Sequence, residues 1–113
     1  MLRYLPSLQE EVSHVARESE YQAEVIGKIR HLLPDCIILK NDPSYMQGVP
    51  DLIILYKDCW AMLEIKRNAR AHRQPNQDYY IELMNSMSFA AFLCPENERE
   101  VLHDLQLALR FAG

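Results

Sequence analysis

The sequence predicts an α/β protein in which helices flank a central mixed sheet, in the element order α-β-β-β-α-β-α. Two observations carry this prediction. Apolar residues recur at helical spacing in the first third of the chain and again near its end. Between these segments lie short apolar runs bounded by turn-forming residues, which is typical of strands, and one further helical pattern interrupts them. Alternation of this kind favours a layered α/β architecture.

The first helix is predicted to begin near Leu8, because Ser7 and Glu10 have the spacing of a capping box. Pro34-Asp35 ends the helical pattern. The pattern leaves open whether residues 8–33 form one helix or two. The apolar positions at helical spacing are Tyr21, Val25, Ile26, Ile29, Leu32 and Leu33.

Three strands are predicted next, over Cys36–Leu39, Leu52–Tyr56 and Cys59–Lys66. Turn formers at residues 41–44 predict a loop after the first strand. Lys57-Asp58 is short enough to be a tight turn. The second and third strands are therefore expected to form a hairpin.

The polar stretch Asn68–Gln74 predicts a loop, and Pro75 suits the first turn of a second helix. Phe89–Cys94 is the fourth predicted strand. Pro95 and Glu96 precede a final helix. Its apolar face is expected to comprise Val101, Leu102, Leu105 and Leu109.

Length and composition indicate one domain, 1–113, of ordinary globular character, with 49% apolar and 25% charged residues. No apolar run approaches the length of a membrane span, and the N-terminus lacks the apolar region of a signal peptide. We therefore expect a cytoplasmic protein without a membrane partner. Cys36, Cys59 and Cys94 lack paired spacing, which favours reduced thiols over a disulfide or zinc.

The net charge of −4 counts against nucleic-acid binding by bulk charge alone. The charge is unevenly distributed, however. Residues 36–74 hold six Lys and Arg residues against four Asp and Glu residues, while residues 1–35 and 75–113 carry the acidic excess. A basic strip on an acidic body fits a local contact with phosphate.

Charged residues stand at the ends of two neighbouring apolar runs. Asp51 opens one run, and Glu64 and Lys66 close the next. Because side chains alternate along a strand, Glu64 and Lys66 point the same way and Ile65 points into the core. A tight turn at residues 57–58 would bring Asp51 beside Glu64.

Two carboxylates this close repel each other unless a cation lies between them. Mg²⁺, with Mn²⁺ as a substitute, prefers carboxylate, carbonyl and water oxygens, and the backbone carbonyl of Ile65 is a further candidate ligand. Lys66 could then orient or help deprotonate a water that attacks a phosphodiester. The alternative is a surface Glu-x-Lys pair and an Asp that merely starts a strand.

Four segments together carry a resemblance to a known family. Glu18 opens an apolar helix, Gly48-Val-Pro-Asp51 is similar to a Gly-x-Pro-Asp motif, Glu64-Ile-Lys66 to Glu-Val-Lys, and Pro75-Asn-Gln77 to Pro-x-Gln. Over about residues 18–110 the chain resembles the PD-(D/E)xK nuclease superfamily, and within it the small virus-type replication-repair nuclease domains called VRR-NUC. One departure is the link between the second helix and the last strand, where the family often has a Gly.

The resemblance implies a restriction-endonuclease-like α-β-β-β-α-β(-α) core over 18–113, with 1–17 as an N-terminal helical extension. It also implies a Mg²⁺-dependent endonuclease acting on DNA. Asp51, Glu64 and Glu18 would bind the metal, with Glu20 and Glu24 as alternatives to Glu18. The catalytic set implied is Asp51, Glu64, Lys66, Gln77 and Glu18.

Four residues that follow the catalytic strand, Arg67, Arg70, His72 and Arg73, are expected to contact DNA phosphates. Lys40 is a further candidate. The alternative is a solvated polar loop.

A domain this small has no obvious separate module for reading sequence, which favours recognition of branched, junction or flap DNA by shape. A homodimer would present two sites to a junction, and residues 1–17 and the final helix are the candidate dimer surfaces. Two other functions stay open. One is a non-catalytic nucleic-acid-binding or scaffold subunit, and the other is a nuclease active only within a larger replication, recombination or packaging complex. The compactness and the resemblance favour a phage or prophage origin.

Overall fold

A computed structural model describes the backbone of residues 8–42 and 44–110 and the side chains of residues 18–42 and 44–110. Within these ranges it contains three helices and one four-stranded mixed sheet. The predicted α/β fold and its element order are confirmed. The elements are α1 (Leu8–Leu32), β1 (Ile37–Lys40), β2 (Leu52–Tyr56), β3 (Cys59–Ile65), α2 (Gln77–Met87), β4 (Phe89–Leu93) and α3 (Glu98–Arg110).

Helix α1 is one continuous helix, which resolves the alternative that the sequence left open. Ser7, half of the predicted capping box, lies outside the described residues, as do the side chains of the predicted dimer surface at 1–17. Val25 and Ile29 on the inner face of α1 are fully buried. The chain leaves the helix through Asp35, whose φ of 70° is a left-handed conformation that Asp tolerates better than most residues.

Strand order in the sheet is β1-β2-β3-β4, with the first three strands antiparallel and β4 parallel to β3. The predicted hairpin is present, and Lys57 in its turn has a φ of 57°. In this hairpin Leu52 pairs with Leu63. The register therefore continues outward to place Asp51 across from Glu64.

The two faces of the sheet have different neighbours. One face packs against α1 and α3, and Ile54, Leu63, Ile65 and Leu105 belong to this core. The opposite face carries Glu64 and is covered over β3 and β4 by α2. Glu64 therefore points away from the main core, toward α2.

The predicted boundaries differ from the observed ones at a few positions. Pro75 was expected in the first turn of the second helix, but α2 begins at Gln77. Pro75 lies instead in a separate turn before the helix, which is closed by a hydrogen bond from Gln77 N to the carbonyl of Gln74 (3.0 Å). Strand β1 runs one residue later than predicted, and β3 ends at Ile65. The link from α2 to β4 needs no Gly, since Ser88 there has a φ of −151°, outside the left-handed region that favours glycine.

The three cysteines all lie in the described part of the chain, and none is in a disulfide. Cys94 is buried, whereas Cys36 and Cys59 are half-buried. Over residues 8–42 and 44–110, the helices are too short or too polar to cross a membrane.

Candidate functional site

Asp51 is held in place through both its backbone and its side chain. Its carbonyl accepts a hydrogen bond from Asn41 N (2.8 Å), and the Asn41 side chain donates to the carbonyl of Pro50 (2.7 Å). Its Oδ2 accepts the backbone N–H of Ile65 (3.2 Å). These bonds direct the half-buried carboxylate of Asp51 across the hairpin toward the end of β3.

Glu64 is buried, with 3% of its surface exposed. Its carboxyl lies within hydrogen-bonding reach of the Asp51 carboxyl, and its Oε1 accepts a bond from Gln77 Nε2 (3.1 Å). Burial and then the neighbouring Asp51 raise the pKa of Glu64 to about 9, although Lys66 acts in the opposite direction. Without a cation, the raised pKa of Glu64 therefore favours its protonated form at neutral pH.

A buried carboxyl that must stay protonated beside a second carboxyl is a site that a cation would stabilise. In the described ranges no group of three or more His, Cys, Asp or Glu side chains is arranged to hold a metal ion. Mg²⁺, however, is commonly bound by one or two carboxylates and completes its shell with water and carbonyl oxygens. Asp51 and Glu64 fit such an ion, and Ile65, with its carbonyl between Glu64 and Lys66 in the chain, stays the predicted further ligand.

Glu18 on α1 lies close enough to the site to interact with it electrostatically. Burial raises the pKa of its half-buried carboxyl; Asp51 raises this pKa further, and Lys66 lowers it. These electrostatic interactions place Glu18 near both residues. Glu20 and Glu24 are exposed. Of the three glutamates considered, Glu18 is the half-buried one, and it interacts electrostatically with Asp51 and Lys66; its role as a metal ligand stays a prediction.

Lys66 and Gln77 connect the site to the loop between β3 and α2. Lys66 Nζ donates to the carbonyl of His72 (3.0 Å). The side chain of Gln77, 8% exposed, accepts the backbone N–H of Gln74 through Oε1 (2.8 Å). Because that N–H can only donate, the Gln77 amide group is oriented with Nε2 toward Glu64. The loop thus contacts the site directly at Lys66 and through Gln77.

Gly48 has a structural role that the sequence analysis did not identify. Its φ is 93°, and a Cβ added there would lie 2.5 Å from the Cβ of Asn76. The loop before Asp51 thus packs directly against the residue before Gln77. A glycine in the Gly-x-Pro-Asp motif was the available signal, but its contact with a residue 28 positions away was not readable from the sequence.

The predicted DNA-contacting residues have different surroundings. Arg67 is half-buried, and Arg70 and His72 are exposed in the loop beside the site. Arg73 is held in place by an ion pair with Asp78 (2.8 Å between Nη1 and Oδ1) and by stacking on a ring of β4. Lys40 is exposed at the end of β1, opposite the residue that follows Asp51.

Comparison with solved structures finds similar folds, among them the following two. A structure described as "VRR_NUC domain" aligns with a TM-score of 0.59 and 18% identity, over 79% of this chain and 92% of its own. Another, described as "VRR_NUC domain protein", aligns with a TM-score of 0.61 and 21% identity, over 94% of this chain and 92% of its own. No family model and no curated protein matches the sequence. The predicted resemblance is confirmed at the level of the fold.

Proposed function

We propose that this chain, which has the fold of VRR_NUC domains, is a Mg²⁺-dependent endonuclease that hydrolyses DNA phosphodiester bonds. The observation that carries the proposal is the buried Glu64, paired with Asp51 and next to Lys66. A buried pair of carboxyl groups is costly to a fold unless it serves a charged ligand. Branched, junction or flap DNA is the proposed substrate, since no separate sequence-reading element accompanies the site in the described residues.

The residues proposed to hold Mg²⁺ are Asp51 and Glu64, with the Ile65 carbonyl and Glu18 in support. When bound, the ion would supply charge stabilisation at the phosphate and a more acidic water. Asp51 Oδ2 is occupied by the Ile65 N–H, which leaves Oδ1 available as a ligand. Gln77 donates to one oxygen of Glu64 and leaves the other available.

Lys66 is the group proposed to act on the reacting atoms. Its ammonium has three N–H donors, and one is directed to the His72 carbonyl. The others can orient the attacking water and donate to a phosphate oxygen as negative charge develops. In the reaction, a bond forms from the water oxygen to phosphorus, and the bond from phosphorus to the leaving sugar oxygen breaks. The attacking water loses one proton to solvent, and the leaving sugar oxygen takes up one proton from solvent to become a hydroxyl.

Cleavage assays test this proposal. Labelled four-way junction, flap, single-stranded and linear duplex DNA should be compared with Mg²⁺, Mn²⁺ or EDTA. We expect metal-dependent cutting that Asp51→Asn or Lys66→Ala reduces by roughly a hundredfold or more, because each removes a charge that acts on the transition state. Exposed Glu82 offers a control, and Glu82→Gln should cut like the wild type.

The possible results lead to different conclusions. Cutting that persists in EDTA or in both variants would refute the assignment of this site. A folded wild type that binds DNA but cuts none of the four substrates would favour a binding subunit, or a nuclease that needs a partner.

The assignment of Glu18 can be tested separately. Glu18→Gln should lower the rate of cleavage by roughly tenfold and weaken Mn²⁺ binding measured by calorimetry, because the Glu18 carboxylate on α1 is proposed to support the two metal-binding carboxylates. Glu20→Gln and Glu24→Gln change the same residue type on exposed faces of this helix and should match the wild type. Equal effects from all three substitutions would show that only net charge matters.

A further inference from the structure

Arg73 lies between two backbone groups that are bonded to the site. The carbonyl of the preceding residue, His72, accepts a hydrogen bond from Lys66. The N–H of the following residue, Gln74, donates to Gln77, whose amide donates to Glu64. The backbone on both sides of Arg73 is therefore anchored at the proposed catalytic residues.

The side chain of Arg73 is also held on the sheet. Its Cζ lies 3.8 Å from the centroid of the Phe92 ring, in a cation–π contact. Phe92 is the register partner of Glu64 across the parallel strands β3 and β4, so their side chains share a face on neighbouring strands, about 5 Å apart. The guanidinium thus rests on a ring beside the proposed metal-binding carboxylate.

The ionic partner of Arg73 is exposed. Nη1 donates to Asp78 Oδ1 at 2.8 Å, and the two side chains are 46% and 63% exposed. An exposed ion pair of this kind contributes little to stability and exchanges readily. The guanidinium has five N–H donors, of which this contact uses one, and its flat geometry suits two bonds to one phosphate.

We propose, on the basis of the proposed nuclease function, that Arg73 binds a backbone phosphate next to the scissile one and that Asp78 competes with that phosphate. Phe92 fixes the plane of the guanidinium in both states. Asp78 stays paired with the Arg73 guanidinium until a DNA phosphate replaces the Asp78 carboxylate. DNA whose phosphate does not reach this position therefore gains no binding energy from Arg73. Among the described residues, Arg67 and Arg70 have no ion pair or ring stacking. The side chains of Arg67 and Arg70 must therefore become ordered when DNA binds, whereas the side chain of Arg73 is already ordered.

DNA binding measured by fluorescence anisotropy in EDTA tests the inference without any cleavage. Arg73→Ala should weaken binding of a labelled junction by roughly tenfold and reduce the salt slope by about one. Asp78→Asn should tighten binding by roughly two- to fivefold, since it removes the competitor. Glu82→Gln removes the same charge one turn further along α2 and serves as the matched control, because an effect of net charge alone would be equal in both.

A double variant decides whether Asp78 acts through Arg73. In an Arg73→Ala background, Asp78→Asn should no longer tighten binding, because coupled residues are not additive. The inference is overturned if Arg73→Ala binds like the wild type, if Asp78→Asn equals Glu82→Gln, or if the gain persists in the double variant. Circular dichroism would establish that each variant is folded. A folded wild type that binds no DNA would overturn the proposed function as well, whereas tight binding independent of Arg73 overturns this inference alone.

Discussion

Replacing Glu64 with glutamine should make the metal-free protein more stable and, in the same change, inactive. Glutamine has the shape of the protonated carboxyl that the buried site favours. Its amide can donate to Asp51 and still accept the bond from Gln77. At pH 8 we expect Glu64→Gln to raise the free energy of unfolding by an amount on the order of 2–3 kcal/mol.

The pH dependence follows from the direction of the pKa shift. The pKa of Glu64 is raised from 4.5 to about 9 by burial and by Asp51. Between these two pH values the folded state holds a proton that the unfolded state releases, so the wild-type protein loses stability as the pH rises through this window. Glutamine does not titrate, and the stability advantage of the variant should vanish near pH 4.5.

Urea unfolding in EDTA at pH 5 and pH 8 would measure this difference, with the exposed Glu82→Gln as the control. The same variant should cut DNA roughly a thousandfold more slowly and lose Mn²⁺ binding, because a neutral side-chain amide lacks the negative charge with which the carboxylate binds a divalent cation. A stability difference that is equal at both pH values would contradict the assigned pKa. A variant that retains cleavage would contradict the role of Glu64.

Gly48→Ala should destabilise the fold by about 2–4 kcal/mol, since the new side chain meets two separate obstacles. A φ of 93° is unfavourable for any residue with a Cβ, and that Cβ would lie 2.5 Å from the Cβ of Asn76 and 2.9 Å from its backbone carbon. Backbone atoms cannot rotate away as a flexible side chain does. Because Asp51 and Gln77 follow the two contacting segments, we expect cleavage to fall with stability.

Gly27→Ala is a control substitution that should change the free energy of urea unfolding in the opposite direction. Gly27 lies in α1, and a Cβ added there would meet no atom within 4 Å. Alanine should therefore stabilise the helix by about 0.5–1 kcal/mol. If Gly48→Ala left the unfolding free energy unchanged, or raised it as Gly27→Ala is expected to, the packing of Gly48 against Asn76 would be refuted.

Much of the fold was predictable because its signals are local. The apolar runs of β2 and β3, with Lys57-Asp58 between them, predicted the hairpin that places Asp51 across from Glu64. The element order followed from apolar periodicity, and Pro34-Asp35 ended α1 as expected. Boundaries were less accurate, as at Pro75, because the turn before α2 competes with the first helical turn.

Three features of the site had no local signal. Glu18, Glu20 and Glu24 are equivalent as residue types, and only the packing of α1 distinguishes Glu18 from the other two. The orientation of the Gln77 amide depends on a backbone N–H in the preceding loop. In the sequence, Arg73 is one of several similar basic residues, and only the fold shows that it stacks on Phe92 and pairs with Asp78.

By itself, the sequence determined the order of helices and strands and the pairing of Asp51 with Glu64, because residue spacing within a strand or hairpin is set by short-range geometry. Only the tertiary structure decided how strongly Glu64 is desolvated, which glutamate of α1 is half-buried near the site, and that Arg73 rests on Phe92. These properties depend on the distances between segments far apart in the chain. Such distances are set by the packing of the whole core, and no short stretch of sequence encodes them.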